Sequence, residues 1–161
     1  MPHIDKRALI DALVADLGKS AAVVTKAAHE AHEAATHEES RPENDKDTRG
    51  LEAAYLAGAQ AERARDLERT AKTLLAIPLR PFGPDSAIAS GAVIELDHAG
   101  ARLVYFLAPA GGGLRATIGD VEVQVITPQS PLGRELLGKT EGDEIDVTQQ
   151  KRRHYEIVGV H

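Results

Sequence analysis

Two long helical patterns, separated by a charged turn that contains a proline, constrain this sequence more than any other feature. Before the turn, apolar residues recur in steps of three and four, which places them on one helix face. They are Leu9, Leu13, Leu17, Ala21, Val24, Ala28, Ala31 and Ala35. After the turn, the stripe consists of Leu51, Ala54, Tyr55, Gly58, Ala61, Ala64, Leu67, Ala71 and Leu74. Two such stripes predict an antiparallel helical hairpin, a coiled coil, over residues 1–76.

The turn between the two helices is predicted at residues 40–49. Pro42 cannot lie inside a helix, and it disfavours helical backbone angles at Arg41. Asp47 or Thr48 can then cap the second helix. We expect the hairpin to project and to display this turn at its far end. The same stripes also fit two helices folded back onto the rest of the chain.

Composition favours closely packed helices over a large round core. Aromatic residues make up 3% of the chain and tryptophan is absent, whereas aromatics usually supply much of the buried area of a core. The two stripes are rich in alanine instead, and small side chains let two helices approach closely. Gly18 lies between Leu17 and Ala21 and leaves open a break in the first helix, since glycine costs about 1 kcal/mol relative to alanine there.

Charge and hydropathy exclude several classes of function. The net charge of −6 argues against general nucleic-acid binding through phosphate neutralisation. No cysteine is present, which excludes disulfides and thiolate chemistry. The sequence contains no apolar stretch of about 20 residues and no signal-peptide pattern. We therefore expect a soluble, cytoplasmic monomer that does not associate with membranes.

From Ile77 onward the pattern changes to short β-like runs separated by turns that contain glycine. Six strands are predicted, at Val93–Leu96, Leu103–Leu107, Ala116–Ile118, Val121–Ile126, Glu144–Val147 and Tyr155–Val160. Residues 151–153, Lys-Arg-Arg, are expected to form a turn between the last two strands. The fold class is therefore α+β, with an antiparallel sheet in residues 77–161.

One short helix is predicted between the fourth and fifth strands. Ser130 is a favourable N-cap, Pro131 suits the first helical turn, and Gly138 suits the C′ position. The helix is expected to pack three residues against the sheet, namely Leu132, Leu136 and Leu137.

The most specific segment of the sequence runs from residue 126 to residue 147. It reads Ile-Thr-Pro-Gln-Ser-Pro-Leu-Gly-Arg-Glu-Leu-Leu-Gly-Lys from residue 126 and Glu-Gly-Asp-Glu-Ile-Asp-Val from residue 141, and a strand follows at Tyr155–Val160. This segment closely resembles the C-terminal signature of the bacterial Gre-type transcript cleavage factors. A partial likeness lies around residues 52–57. The chain is identified as a divergent member of that family, which implies that the hairpin precedes an FKBP-like domain.

The resemblance implies a partner and a mechanism. Gre-type proteins bind core RNA polymerase with the C-terminal domain at the rim of the secondary channel, and their hairpin enters the channel. Acidic residues at the tip help to hold a magnesium ion and a water molecule that cleaves the 3′ end of backtracked RNA. Carboxylates suit this task because magnesium prefers hard oxygen ligands and two-metal sites favour phosphoryl chemistry. The chain would be an accessory factor without a metal or cofactor of its own, in indirect contact with the nascent RNA 3′ end.

The tip departs from the family pattern at its acidic residues. Cleavage-competent members carry an Asp seven residues and a Glu four residues before a tyrosine. If Tyr55 is that tyrosine, these positions hold Thr48 and Leu51. The candidate catalytic residues of a rebuilt tip are Asp45, Asp47 and, less strongly, Glu43. The alternative is a factor that occupies the channel without cleavage, as a competitor or inhibitor of transcription.

Further candidate residues follow from the resemblance and from local motifs. Basic residues at the tip that can meet RNA phosphate or polymerase carboxylates are Arg41, Lys46 and Arg49. The residues expected to face the polymerase are Ser130, Pro131, Leu132, Gly133 and Arg134. His29 and His32 are three residues apart, whereas the zinc-protease motif places its histidines four apart. An exposed helix face is the better interpretation of these two histidines.

Two functions from other classes compete with this hypothesis. A prolyl isomerase of the FKBP type needs a pocket lined by aromatic residues, and the C-terminal domain offers only Phe82, Tyr105, Phe106 and Tyr155. A coiled-coil adaptor without a link to polymerase would leave the match over residues 130–147 unexplained.

Overall fold

A computed structural model describes residues 3–36 and 49–161. Its helices are α1 (Lys6–Thr36), α2 (Arg49–Leu75) and α3 (Pro131–Leu136). Its strands are β1 (Val93–His98), β2 (Ala101–Leu107), β3 (Arg115–Ile118), β4 (Val121–Ile126), β5 (Glu144–Thr148) and β6 (Arg152–Val160). The predicted turn at residues 40–49 lies outside the described residues except for Arg49, which begins α2.

Helix α1 is a single helix of 31 residues that continues through Gly18, so the open break at this position does not occur. The helix begins at Lys6, five residues after the predicted start of the hairpin at residue 1. Its start is set by Asp5, whose Oδ1 accepts hydrogen bonds from the backbone N–H groups of Arg7 at 2.9 Å and Ala8 at 3.1 Å. A side-chain acceptor of this kind stabilises a helix start by about 1 kcal/mol.

The predicted apolar stripe is confirmed from Leu9 to Ala21 on α1 and is wrong from Leu51 to Gly58 on α2. On α1, four residues of the stripe are buried, at Leu9, Leu13, Leu17 and Ala21. On α2, four predicted stripe residues are exposed, at Leu51, Ala54, Tyr55 and Gly58. Ala57, which the predicted stripe omits, is the buried residue in this part of α2. Ala64, which the stripe includes, is buried further along the helix.

The C-terminal strands form one six-stranded sheet in the order β3-β4-β2-β1-β6-β5. Four of the five pairings are antiparallel, but β2 and β4 are parallel, with Val104 opposite Val123. The prediction of an antiparallel sheet is therefore wrong at this pair. After β2 the chain crosses to the edge of the sheet and forms β3, leaving a gap between β2 and β3. The β3–β4 hairpin then reverses the chain, so β4 fills this gap and runs parallel to β2.

The main core lies between one face of this sheet and α3. Its members are Ile88, Ala92, Ile94, Leu96, Leu107, Ile126, Leu132, Leu136, Ile145, Val147, Tyr155, Ile157 and Val160. The predicted caps of α3 are confirmed, with Ser130 as N-cap and Gly138 at a φ of 80° after the C-cap Leu137. Leu137 is 49% exposed, so the prediction that it packs against the sheet is wrong.

The turn predicted at residues 151–153 lies slightly earlier in the chain. Bends occupy residues 149–151, and β6 begins at Arg152. The side chain of Arg152 contacts that of Asp146 on β5 at 2.6 Å, which draws Arg152 into the β5–β6 pair.

The chain divides into two compact units, one formed by Met1–Val14 with Lys72–His161 and the other by Ala15–Ala71. The first unit thus contains the start of α1, where Leu9 and Ile10 are fully buried, as well as the whole sheet. The domain boundary between residues 76 and 77 stays a prediction. Over its described residues, neither long helix contains the apolar stretch that crossing a bilayer requires.

Candidate functional site

The segment between β4 and α3 is held by hydrogen bonds around Ser130. The Ser130 hydroxyl donates to the backbone carbonyl of Thr127 at 2.7 Å and accepts from the backbone N–H of Gly133 at 3.1 Å. The Ser130 backbone N–H also donates to the Thr127 carbonyl, at 3.0 Å. One side chain therefore closes the turn and caps the helix, which fixes the position of α3 at the end of β4.

Gly133 packs directly against the same turn. A Cβ atom at this residue would lie 1.9 Å from the Thr127 carbonyl oxygen and 2.9 Å from the Ser130 hydroxyl oxygen. No side chain fits at such distances, so a glycine is required for α3 to approach the turn. We call Thr127, Ser130 and Gly133 the α3 clamp.

Two of the five residues predicted to face the polymerase are exposed on this helix, and both are held in place by the α3 clamp. Pro131 and Arg134 are exposed and lie three residues apart, which places them on the same side of the helix. The Arg134 Nε donates to the backbone carbonyl of Gln129 at 2.9 Å. Leu137, three residues further on, is also exposed. Pro131, Arg134 and Leu137 thus form a small apolar and cationic surface, which we call the α3 surface.

The other three predicted residues point inward or bond to the backbone. Leu132 is buried in the core beside Leu136, whereas Ser130 and Gly133 belong to the α3 clamp. Leu137 is the residue of the α3 surface that the sequence analysis assigned to the core. Its position at the C-cap, directly before Gly138, is the signal that could have placed it at the surface.

A cavity of about 950 Å³ opens beside the α3 clamp. Tyr105 and Tyr155 lie in its wall, and the cations Lys151 and Arg153 also line it. Burial raises the pKa of Tyr105, and the neighbouring Tyr155 adds to that effect, whereas Arg153 and Arg115 oppose it. The phenol therefore remains a hydrogen-bond donor at neutral pH. Of the four aromatics that residues 77–161 offer to an FKBP-type pocket, only these two line the cavity.

One buried charged residue was missed by the sequence analysis. Glu95 is 3% exposed in the middle of β1, and its Oε1 lies 2.8 Å from the Nε2 of His161. Its Oε2 lies 3.7 Å from the guanidinium of Arg102. The only sequence signal is one acidic residue within the apolar run Val-Ile-Glu-Leu at residues 93–96.

Most of the predicted tip residues lie outside the part of the chain that the structure describes. Five of them lie outside the described residues, at Arg41, Glu43, Asp45, Lys46 and Asp47. Next to that segment, α2 exposes three large apolar side chains, with exposed fractions of 64% at Leu51, 80% at Tyr55 and 53% at Leu56.

The histidines of α1 make local contacts. His29 Nε2 lies 3.3 Å from Glu33 Oε1, one helical turn away, and both side chains are exposed. Within residues 3–36 and 49–161, no group of three or more acidic or histidine side chains is arranged to hold a metal ion.

The part of the chain that contains the α3 clamp is similar to a known protein family. The family model described as transcription elongation factor, GreA/GreB, C-terminal, matches residues 116–161. This range contains β4, α3, β5 and β6, and the resemblance stated from the sequence is confirmed over it. Among curated proteins, none matches this chain.

Solved structures with a similar chain include two Gfh1 proteins from Thermus. The crystal structure of GreA factor homolog 1 (Gfh1) of Thermus thermophilus is 24% identical, covering 92% of this chain and 94% of that chain, with a TM-score of 0.38. Gfh1 of Thermus aquaticus is 23% identical, covering 92% and 91%, with a TM-score of 0.38. The GreA/GreB elongation factor of Nitrosomonas europaea is 18% identical, covering 58% and 78%, with a TM-score of 0.37.

Proposed function

We propose, from the premise that residues 116–161 of this chain are the C-terminal domain of a Gre-type transcription elongation factor, that the chain binds bacterial RNA polymerase and modulates elongation. The observation that carries the proposal is the α3 clamp inside the matched range. It holds Pro131 and Arg134 exposed on a short helix, and Leu137 exposed directly after it. Exposed apolar and arginine side chains that are held rigidly are typical of binding surfaces.

In the proposed complex, the α3 surface contacts the polymerase at the rim of its secondary channel. The two N-terminal helices then direct the segment between Thr36 and Arg49 toward the active centre. The chain acts as an accessory factor, and the magnesium that serves RNA cleavage belongs to the polymerase. Under this proposal, the chain is a cytoplasmic monomer.

Binding is tested by a pull-down of purified core RNA polymerase on the immobilised full-length chain at low salt. We expect retention of the polymerase and competition by a second channel-binding factor. The variant Arg134→Ala should weaken retention about tenfold, since loss of a central interface arginine costs about 1–2 kcal/mol. Arg115→Ala, exposed on the edge strand β3 and outside both the α3 surface and the two N-terminal helices, is the matched control. Failure of the wild-type chain to bind would overturn the proposal.

The acidic residues Asp45 and Asp47, with Glu43 in a lesser role, are proposed to share the polymerase magnesium and to stimulate cleavage of backtracked RNA. Carboxylates next to a polymerase-bound metal would supply the oxygen ligands that magnesium favours. Arg41, Lys46 and Arg49 would balance this charge or meet RNA phosphate. A backtracked complex with a labelled RNA 3′ end tests the idea, because the double variant Asp45→Ala and Asp47→Ala should abolish the release of short fragments.

The second candidate function is a competitor that occupies the channel without cleavage. The observation in its favour is that Leu51 exposes 64% of its surface. With Tyr55 taken as the family's tyrosine, Leu51 stands at the position of the second acid. An exposed leucine there cannot bind magnesium. In the same cleavage assay, a competitor releases no fragments by itself and slows cleavage by a genuine cleavage factor. Leu51→Glu should then reduce this inhibition or restore fragment release.

A further inference from the structure

Two cations and one aromatic ring meet near the start of α1. The Lys6 Nζ lies 4.6 Å from the centroid of the Phe82 ring, and the Arg80 Cζ lies 4.5 Å from the same centroid. The Lys6 Nζ also donates a hydrogen bond of 2.8 Å to the backbone carbonyl of Arg80. Three contacts therefore hold an amine and a guanidinium beside each other.

This pair of cations has no acidic partner among the residues that the structure describes. Asp5, the carboxylate nearest in sequence, directs its Oδ1 to the backbone N–H groups of Arg7 and Ala8. The pair differs from Arg65, Arg115 and Arg152, each of which contacts a carboxylate. Two unneutralised cations held in place form a site that an anion stabilises.

The environment of Lys6 disfavours its charged form. Partial burial is the largest cause and the charge of Arg80 the second, and together they lower the pKa of Lys6 to about 8 from an ordinary value of 10.5. The Phe82 ring and the Arg80 carbonyl act in the opposite direction, because both stabilise an ammonium ion. A lysine that is desolvated and lies beside a second cation is a typical activated amine nucleophile.

We propose that Lys6 is a modification site for acyl phosphates, with Arg80 binding the phosphate group and the Lys6 amine attacking the acyl carbon. The amine lone pair forms the new N–C bond. The bond between the acyl carbon and the phosphate oxygen breaks, and phosphate leaves with its electron pair. The nitrogen loses a proton to water. The product is a neutral amide, which removes the repulsion between Lys6 and Arg80.

The size of the effect follows from two opposing factors. At pH 7.5 roughly a quarter of an amine of pKa 8 is neutral, against about 0.1% at a pKa of 10.5. A nucleophile loses intrinsic reactivity as its pKa falls, by about tenfold or slightly more over this range if a slope near 0.45 applies. The net expectation is acylation roughly ten- to twentyfold faster than at an ordinary lysine.

The test is incubation of the full-length chain with acetyl phosphate, with the initial rate at each lysine measured by quantitative mass spectrometry. Lys6 should react roughly ten- to twentyfold faster at pH 7.5 than the exposed α1 lysines Lys19 and Lys26. Its rate should level off above about pH 8. Equal rates at Lys6 and at these two internal references would overturn the proposal.

The role of Arg80 is tested separately with Arg80→Gln and with an uncharged acyl donor, an N-hydroxysuccinimide ester. The substitution should slow acetyl phosphate more than it slows the ester, because only the phosphate donor needs the guanidinium. Arg63→Gln is the matched control and should leave both rates unchanged. Circular dichroism verifies that each variant is folded. An Arg80→Gln variant that reacts with acetyl phosphate at the wild-type rate would refute the assignment of Arg80.

Discussion

At the scale of single residues, Gly133 is a position where any added side chain would collide with the backbone. A methyl group there would overlap the Thr127 carbonyl oxygen, which belongs to the backbone and cannot rotate away. We expect Gly133→Ala to destabilise the fold by about 2–3 kcal/mol, at the upper end of the usual range for overpacking. Urea denaturation followed by circular dichroism measures this. Gly83→Ala, where a Cβ meets nothing within 4 Å, should change stability by less than about 0.5 kcal/mol.

Asp146 on β5 gives the domain a predictable dependence on pH. The hydrogen bond from Arg152 is the largest cause, and that from His154 the second, of a pKa below the ordinary value of 3.8. A carboxyl group with a lowered folded-state pKa stabilises the fold above its unfolded-state value, and this contribution is lost as the pH falls through the folded-state value. The stability gap between the wild type and Asp146→Asn should therefore be present in full at pH 6, should begin to shrink near about pH 4, and should be lost as the pH falls through the lowered folded-state pKa.

Chemical denaturation at several pH values measures this gap. Asp85→Asn provides the comparison, because Asp85 is exposed in the loop before β1 and makes no ion pair within the described part of the chain. A gap for Asp146→Asn that stays constant from pH 6 to pH 3 would contradict the prediction.

Residues whose roles depend on near neighbours in sequence were predictable. Ser130, Pro131 and Gly138 act within one short helix, and all three lie where the capping rules place them. Glu95 was not predictable in this way. The burial of Glu95 depends on His161, which is 66 residues away.

At the scale of elements, α2 shows why the period of a pattern does not fix the face of a helix. In its first half, the predicted stripe includes Leu51 and Tyr55, which are exposed, and omits Ala57, which is buried. Hydrophobicity favours the two larger residues, yet the face that is buried there carries the alanine. The strands had no such ambiguity, since alternation and bounding turns located all six of them within three residues at either end.

At the two glycines inside the long helices, substitution by alanine should increase stability, whereas at Gly133 it should decrease stability. A Cβ at Gly18 or Gly58 meets nothing within 4 Å, and both residues lie in regular helix. Each substitution by alanine should stabilise the chain by about 0.5–1 kcal/mol, since glycine loses more backbone entropy on folding. Thermal unfolding followed by far-UV circular dichroism, which reports helix content, tests this prediction. A lower midpoint in either variant would contradict it.

At the scale of the whole molecule, stability should be unequal between the sheet and the first half of α2. β1 has four consecutive buried residues, whereas residues 51–60 of α2 bury only Ala57. Segments with few buried apolar side chains open at low free energy. Native-state hydrogen exchange should therefore show amides of residues 51–60 exchanging at least about a hundredfold faster than those of β1. Residues 9–17 of α1, with buried leucines, are the helical control and should exchange more slowly than residues 51–60.

The strand order has a consequence for the time at which the fold can form. β1, at residues 93–98, lies between β2 and β6. Its hydrogen bonds to β6 can form only after residues 152–160 have been synthesised. A ribosome adds about 5–20 residues per second, so β1 leaves the exit tunnel seconds before its second partner. Until then it presents an open strand edge, the kind of surface on which chains aggregate. The interval between these two strands during synthesis is therefore when the nascent chain most needs protection by a chaperone.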